Sequence, residues 1–175
     1  MNQPQQQRGQ QSQSRKSYKD QAKDWISQKD VEGRLRKAFG SDANAAQELV
    51  SLAQEVGHAS YEHGLTSNQI RNIFGMVKRW EMQYRSESTQ KVQQESQLQQ
   101  ELTMLRPKII YAASRHDELG TWIFALTMLH ALDQTLNSGD LRHGFCRFVD
   151  LFEAILAFHK EAEAESRKRR SKGGY

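Results

Sequence analysis

The sequence predicts an all-α protein: a compact bundle of about five helices with disordered N- and C-terminal tails. Three observations carry this. Only two prolines and eleven glycines punctuate 175 residues, too few for the many turns of an all-β fold. Val and Ile are sparse, while Ala, Leu, Gln, Glu, Lys and Arg are common, a balance that favours helices. Apolar residues recur three and four apart over most of the chain, which is the helical period. A chain of this length holds one domain and buries a real core even with both ends trimmed.

The elements follow in order. Residues 1–22 form a Gln- and Ser-rich tail whose first twenty positions are almost free of apolar side chains; they cannot offset the entropy of ordering. The bundle domain spans 23–164. Val31, Leu35, Ala38 and Phe39 make a short amphipathic helix, with Trp25 and Ile26 docking just before it. Ser41 or Asp42 caps the next helix, whose apolar stripe is Ala46, Leu49, Val50, Ala53 and Val56; Gly57 or Gly64 closes it. In LTSNQIRNIF (65–74), Thr66 and Gln69 form a capping box, and Leu65 with Ile70 a hydrophobic staple. That helix runs inward through Ile70, Phe74 or Ile73, Val77, Trp80 or Met82, and Tyr84.

The stretch 86–100 loses the period and is either a solvated helical extension or a linker. A helix resumes near Leu98 or Leu102 and either kinks at Pro107 or restarts there; Ile109, Ile110, Tyr111 and Ala113 continue it to Arg115. Residues 119–137 are apolar almost all round and form the central helix. Asp140 caps a last helix with Leu141, Phe145, Phe148, Val149, Phe152, Ile155 and Leu156 inward. Residues 165–175 are a basic C-terminal tail, a fraying end.

The net charge of +4 is unevenly spread. It is +3 over 1–20, −2 over 21–65, +4 over 66–115, −6 over 116–165 and +5 over 166–175. A basic strip suits an anionic partner and an acidic strip a basic one. One cysteine, Cys146, excludes an intrachain disulfide and suits a reducing cytoplasm. There is no secretory signal, and the most apolar run, 122–132, is too short to span a bilayer. The protein is expected to be soluble and cytoplasmic.

Arg71, Lys78 and Arg85 are seven apart, so they line one helix face; Lys108 and Arg115 repeat the spacing on the next helix, with Tyr111 between them. Such a row matches phosphates along an RNA strand, and an aromatic between cations can stack on a base. The same spacing also arises on any solvated helix face; the segregation of charge raises the RNA reading to even terms with it. The histidines suggest no metal site. His58 and His63 are five apart, a spacing that does not return to one helix face. His116-Asp117 resembles a phosphohydrolase dyad but lacks further ligands. His130 reads as a satisfied core histidine and Cys146 as a packed small hydrophobe. No catalytic constellation, metal site or cofactor site is expected.

Three stretches together, LTSNQIRNIF (65–74), LRPKIIYAASR (105–115) and FCRFVDLFEAILAFHK (145–160), resemble the small subunit of type III, Csm-type, CRISPR effector complexes, where such motifs occur in this order. The resemblance covers about 42–160; the segment 86–100 is longer and richer in Gln than that family's linker. It implies a five-helix, non-catalytic subunit in antiviral defence. Its copies stack inside the ribonucleoprotein, touch crRNA and target RNA through the backbone, and pack on the RNA-backbone and polymerase-like large subunits. Arg71 matches the Q-I-R arginine, Arg106, Lys108 and Arg115 the L-R-P-K…R positions, and Lys160 the closing H-K. A subunit serving any guide should bind by charge and stacking rather than by reading bases. The alternative is a helical protein–protein adaptor or self-associating scaffold; a small hydrolase using His116-Asp117 is a further rival.

Overall fold

The computed structural model describes residues 16–85 and 91–172, and the side chains of all of these except 72–74, 85, 91–94 and 172. Those residues form seven helices rather than about five: α1 (Tyr18–Gln28), α2 (Val31–Ala38), α3 (Ala45–Glu62), α4 (Ser67–Arg85), α5 (Lys91–His116), α6 (Leu119–Leu136) and α7 (Leu141–Lys172). The alternatives Phe74 and Ile73 for the inner face of α4 fall outside the described side chains, as does Arg85; residues 1–15 and 173–175 also lie outside.

The extra elements have local causes. Trp25 and Ile26 sit within a helix of their own. Ser17 caps it: the Asp20 N–H donates to Ser17 Oγ at 3.2 Å and the Ser17 hydroxyl donates to Asp20 Oδ2 at 2.7 Å. Ala22 and Ile26, one turn apart, bury its inner face, and Lys19 Nζ lies 5.1 Å from the ring centre of Trp122 on α6. Residues 18–22 are therefore helical. At the other end α7 runs through 165–172, the stretch expected to fray.

Helix α6 is the central element, packed by α1, α2, α3, α5 and α7. It buries residues on every side, from Gly120 to Thr135. Its Thr127 and Thr135 hydroxyls are satisfied by donating to the carbonyls of Ile123 and Ala131. Helix α3 packs most extensively on α7, and Gly57 permits it: a Cβ there would stand 2.8 Å from the Ile155 carbonyl oxygen and 2.9 Å from the His159 nitrogen. The glycine that closes α3 is Gly64, whose φ of 99° only glycine adopts readily.

Several side chains depart from the sequence expectation. Helix α3 starts at Ala45 after Asn44, with neither Ser41 nor Asp42 as N-cap. Its stripe is Ala45, Leu49, Leu52, Ala53 and Val56; Ala46 and Val50 are each one residue, or 100°, off that line and are exposed. Met82 is exposed and Trp80 half-buried; Pro107 lies inside the continuous α5; Ile110 is exposed. Cys146 is exposed because it follows Phe145 by 100° on a helix whose core line is Phe145, Phe148, Val149 and Phe152. His130 is half-buried at the edge of α6, its Nδ1 3.3 Å from Glu32 Oε1 on α2, rather than in the core.

Candidate nucleic-acid interface

The start of α4 is built as its sequence dictates. The Thr66 N–H donates to Gln69 Oε1 at 2.7 Å, one half of the capping box. Leu65 and Ile70 are buried together as the staple. A second anchor comes from α7. His159 is 1% exposed and its Nε2 lies 2.7 Å from the Leu65 carbonyl oxygen. That acceptor fixes the Nε2–H tautomer, leaving Nδ1 buried with no partner among the described residues. Burial holds the imidazole below its usual pKa, partly countered by the bond to Leu65. Tyr61 meets its ring edge-on, with centroids 5.5 Å apart.

With α4 fixed this way, Thr66, Asn68, Gln69 and Met76 form one wall of an open groove of about 510 Å³. Lys108, Tyr111, Ala112, Arg115 and His116 of α5 form the other. Lys108, Tyr111 and Arg115 follow one another at three and four residues, so they share a face. All three are exposed, Tyr111 by 68%. The Lys108 ammonium nitrogen lies 3.8 Å from Met76 Sδ, so its side chain reaches across to the α4 wall. Among the described residues, no carboxylate lines the groove. Two cations, a histidine and an open aromatic ring can hold an anion and stack on a flat group.

The other basic positions fall elsewhere. Lys78 sits two residues after Met76, about 200° round α4, and faces α7. Its ammonium is 2.5 Å from Glu153 Oε1 and paired also with Glu81. Glu153, then Glu81, hold it above the usual lysine range. Arg71 is one turn past Ser67, whose hydroxyl donates to Glu163 of α7, so it lies on that same flank. It is exposed, with no ion pair or hydrogen bond among the described residues. Arg106 is paired with Asp133 of α6. Lys160 is exposed on α7, its ammonium 2.7 Å from Glu163 Oε2. Glu163 also takes bonds from Ser67 and Arg167; Lys160 above all pulls its carboxyl down to about 2. The sequence reading thus joined cations on the α7-facing flank of α4 to a row on α5 that meets the opposite flank, and omitted the polar α4 wall of Asn68 and Gln69, and His116 on α5. Gln69 and Met76 are also seven apart, a signal that could have found that wall.

The histidine readings resolve geometrically. Asp117, with φ of 39°, accepts a 2.8 Å bond from Trp122 Nε1 and is committed to that ring rather than to His116. His58 Nε2 lies 3.3 Å from Glu161. Among the described residues, no group of three or more His, Cys, Asp or Glu side chains could hold a metal, and no helix is long and apolar enough to cross a membrane.

No curated protein and no solved structure matches the chain. Residues 43–165 match the family Csm2 Type III-A, a span that contains α3 to α6 entire and most of α7. The chain belongs to that family, the small subunit of type III-A CRISPR effector complexes.

Proposed function

We propose that this small subunit has no catalysis of its own and binds the crRNA–target RNA backbone without regard to sequence, through the α4–α5 groove. The observation that carries the reading is the convergence of Lys108, Tyr111 and Arg115 in a groove with no carboxylate among its described lining residues. Phosphate contacts by exposed cations position an RNA without reading it, and a ring such as Tyr111 stacks on any base. Arg71 and Lys160 extend the basic surface round the α4–α7 flank. The acidic 116–165 stretch then serves the protein neighbours: the RNA-backbone and large subunits, and further copies of the chain.

The test is a salt titration of wild type and the double variant Lys108→Glu/Arg115→Glu on guide–target RNA duplexes of unrelated sequence. Each lost phosphate contact lowers the log–log salt slope by about one. Two contacts correspond to roughly tenfold in affinity between 50 and 200 mM salt. The variant should lose affinity equally for every sequence and keep its helical circular dichroism. Equal affinities and slopes for both proteins would favour the adaptor reading.

A further inference from the structure

The last turns of α7 carry a separate basic element. Arg167, Lys168, Arg169 and Arg170 are consecutive, helical and exposed, and they lie past residue 165, where the family match ends. Core burial stops earlier: among the described residues His159 is the last buried one, and Ala162, Glu163 and Ser166 are half-covered. Successive residues step by about 100°, so four consecutive cations point all round the axis.

The segment is built to stay helical outside the bundle. Arg167 Nη2 is 2.6 Å from Glu163 Oε1, and Arg169 Nη2 3.5 Å from Glu165 Oε2. Both pairs are four apart with the acid first, the favourable order, and cations at a helix C-terminus offset its partial negative charge. The base of the arm is pinned as well, because Glu163 also receives the Ser67 hydroxyl at the start of α4 and the Lys160 ammonium.

Such a rod asks for anions on several sides at once. A membrane surface would also require an apolar face to insert, and the stretch EAEAESRKRRSK (161–172) offers only two alanines. An acidic protein face would engage one side of the rod and leave the opposite cations in solvent. In an RNA duplex the phosphate rows of the two strands stand close together across the deep, narrow major groove, so a rod lying along its mouth meets anions on more than one side. We infer that residues 167–172 are a preformed helical arm that makes a second, sequence-independent contact with the phosphates of duplex RNA, distinct from the α4–α5 groove. This rests on the reading that the subunit binds RNA.

The experiment uses the full chain and RNA duplexes of random sequence between 50 and 200 mM salt. Its variants are Arg167→Gln/Lys168→Gln/Arg169→Gln/Arg170→Gln, the groove variant Lys108→Glu/Arg115→Glu, and Ser166→Pro, which keeps every charge but breaks the helix. The neutralised arm should cost about tenfold or more in affinity and lower the salt slope by roughly two to four, with the groove intact. Ser166→Pro should weaken binding several-fold. A neutralised arm that binds as wild type, while the groove variant is weakened, overturns the arm and leaves the groove reading standing. Both variants binding as wild type overturns the two together. Wild-type affinity in Ser166→Pro overturns the preformed arm in favour of loose charges, and arm-dependent binding to phosphatidylserine vesicles but not to RNA overturns the choice of partner.

Discussion

His159 couples the stability of the bundle to the position of the groove, and His159→Ala tests that coupling. Its ring donates to the carbonyl of Leu65, the residue just before the Thr66–Gln69 capping box, so it sets where α4 begins. The substitution removes the donor and strands that carbonyl, which costs about 1–3 kcal/mol for an unsatisfied buried acceptor. The smaller side chain leaves space beside Tyr61 and adds a further loss, for a total of about 2–4 kcal/mol. Urea unfolding at pH 8 should show a lower midpoint with an unchanged m-value. The pH dependence is the sharper readout. Burial lowers the folded-state pKa of this histidine, so the unfolded chain takes up the proton first. The stability is complete above the unfolded value of 6.5 and is lost as pH falls from there towards the folded value. The loss is at most about 1.4 kcal/mol per pH unit. The wild-type minus variant difference isolates His159 from the other histidines and should shrink between pH 7.5 and 5. A difference that stays constant over that range would show that His159 is not held neutral. An unchanged midpoint at pH 8 would show that its bond to Leu65 does not hold α4.

Arg34→Ala should destabilise the bundle by about 2 kcal/mol, read as a midpoint shift in urea. Its guanidinium, 17% exposed, reaches Glu48 and Glu55 at 2.5 Å each and Ser51 at 3.0 Å, clasping α2 to α3; a shift under about 0.5 kcal/mol, the size of an ordinary surface change, would refute the clasp. Lys78→Gln should leave RNA affinity and salt slope as in wild type, because its charge is already held by Glu81 and Glu153, whereas Lys108→Gln should lower the slope by about one. Equal slopes for the two single variants would show that the flanks of α4 do not divide as the structure places them.

The sequence revealed most where the cause was local. The Thr66–Gln69 box, the Asp140 cap, whose carboxylate accepts the His143 N–H at 2.9 Å, and the apolar circumference of α6 all depend on residues a turn apart. Helix α1 had a local signal too: Ser17 and Asp20 stand three apart as a cap pair. It was hidden because only Ala22 and Ile26 mark the core face of a segment that otherwise continues the polar composition of the tail. The end of α7 was misread as fraying for a related reason: it buries little, and what supports it is a pair of i,i+4 ion bridges rather than an apolar stripe.

The candidate site failed at a different level. Seven-residue spacing returns to nearly the same azimuth, so Arg71 and Lys78 do share a flank of α4. The core line Ile70–Val77–Tyr84 has that same spacing and lies between two flanks, one residue later at Arg71 and Lys78, one residue earlier at Gln69 and Met76. Periodicity says that both flanks exist but not which neighbour each one meets. The bundle puts α7, with Glu153 and Glu163, beside the first, and α5, with Lys108 and Arg115, beside the second. Acidic α7 neutralises Lys78, so a cation chosen for its row has no charge to spare for a ligand. The row on α5 escapes this because the α4 flank opposite it is polar but uncharged. An arginine or lysine is therefore a phosphate candidate only when no carboxylate of the helix across from it pairs with it. Among the described basic side chains chosen by spacing, Lys108, Arg115 and Arg71 meet that condition, and Lys78 does not.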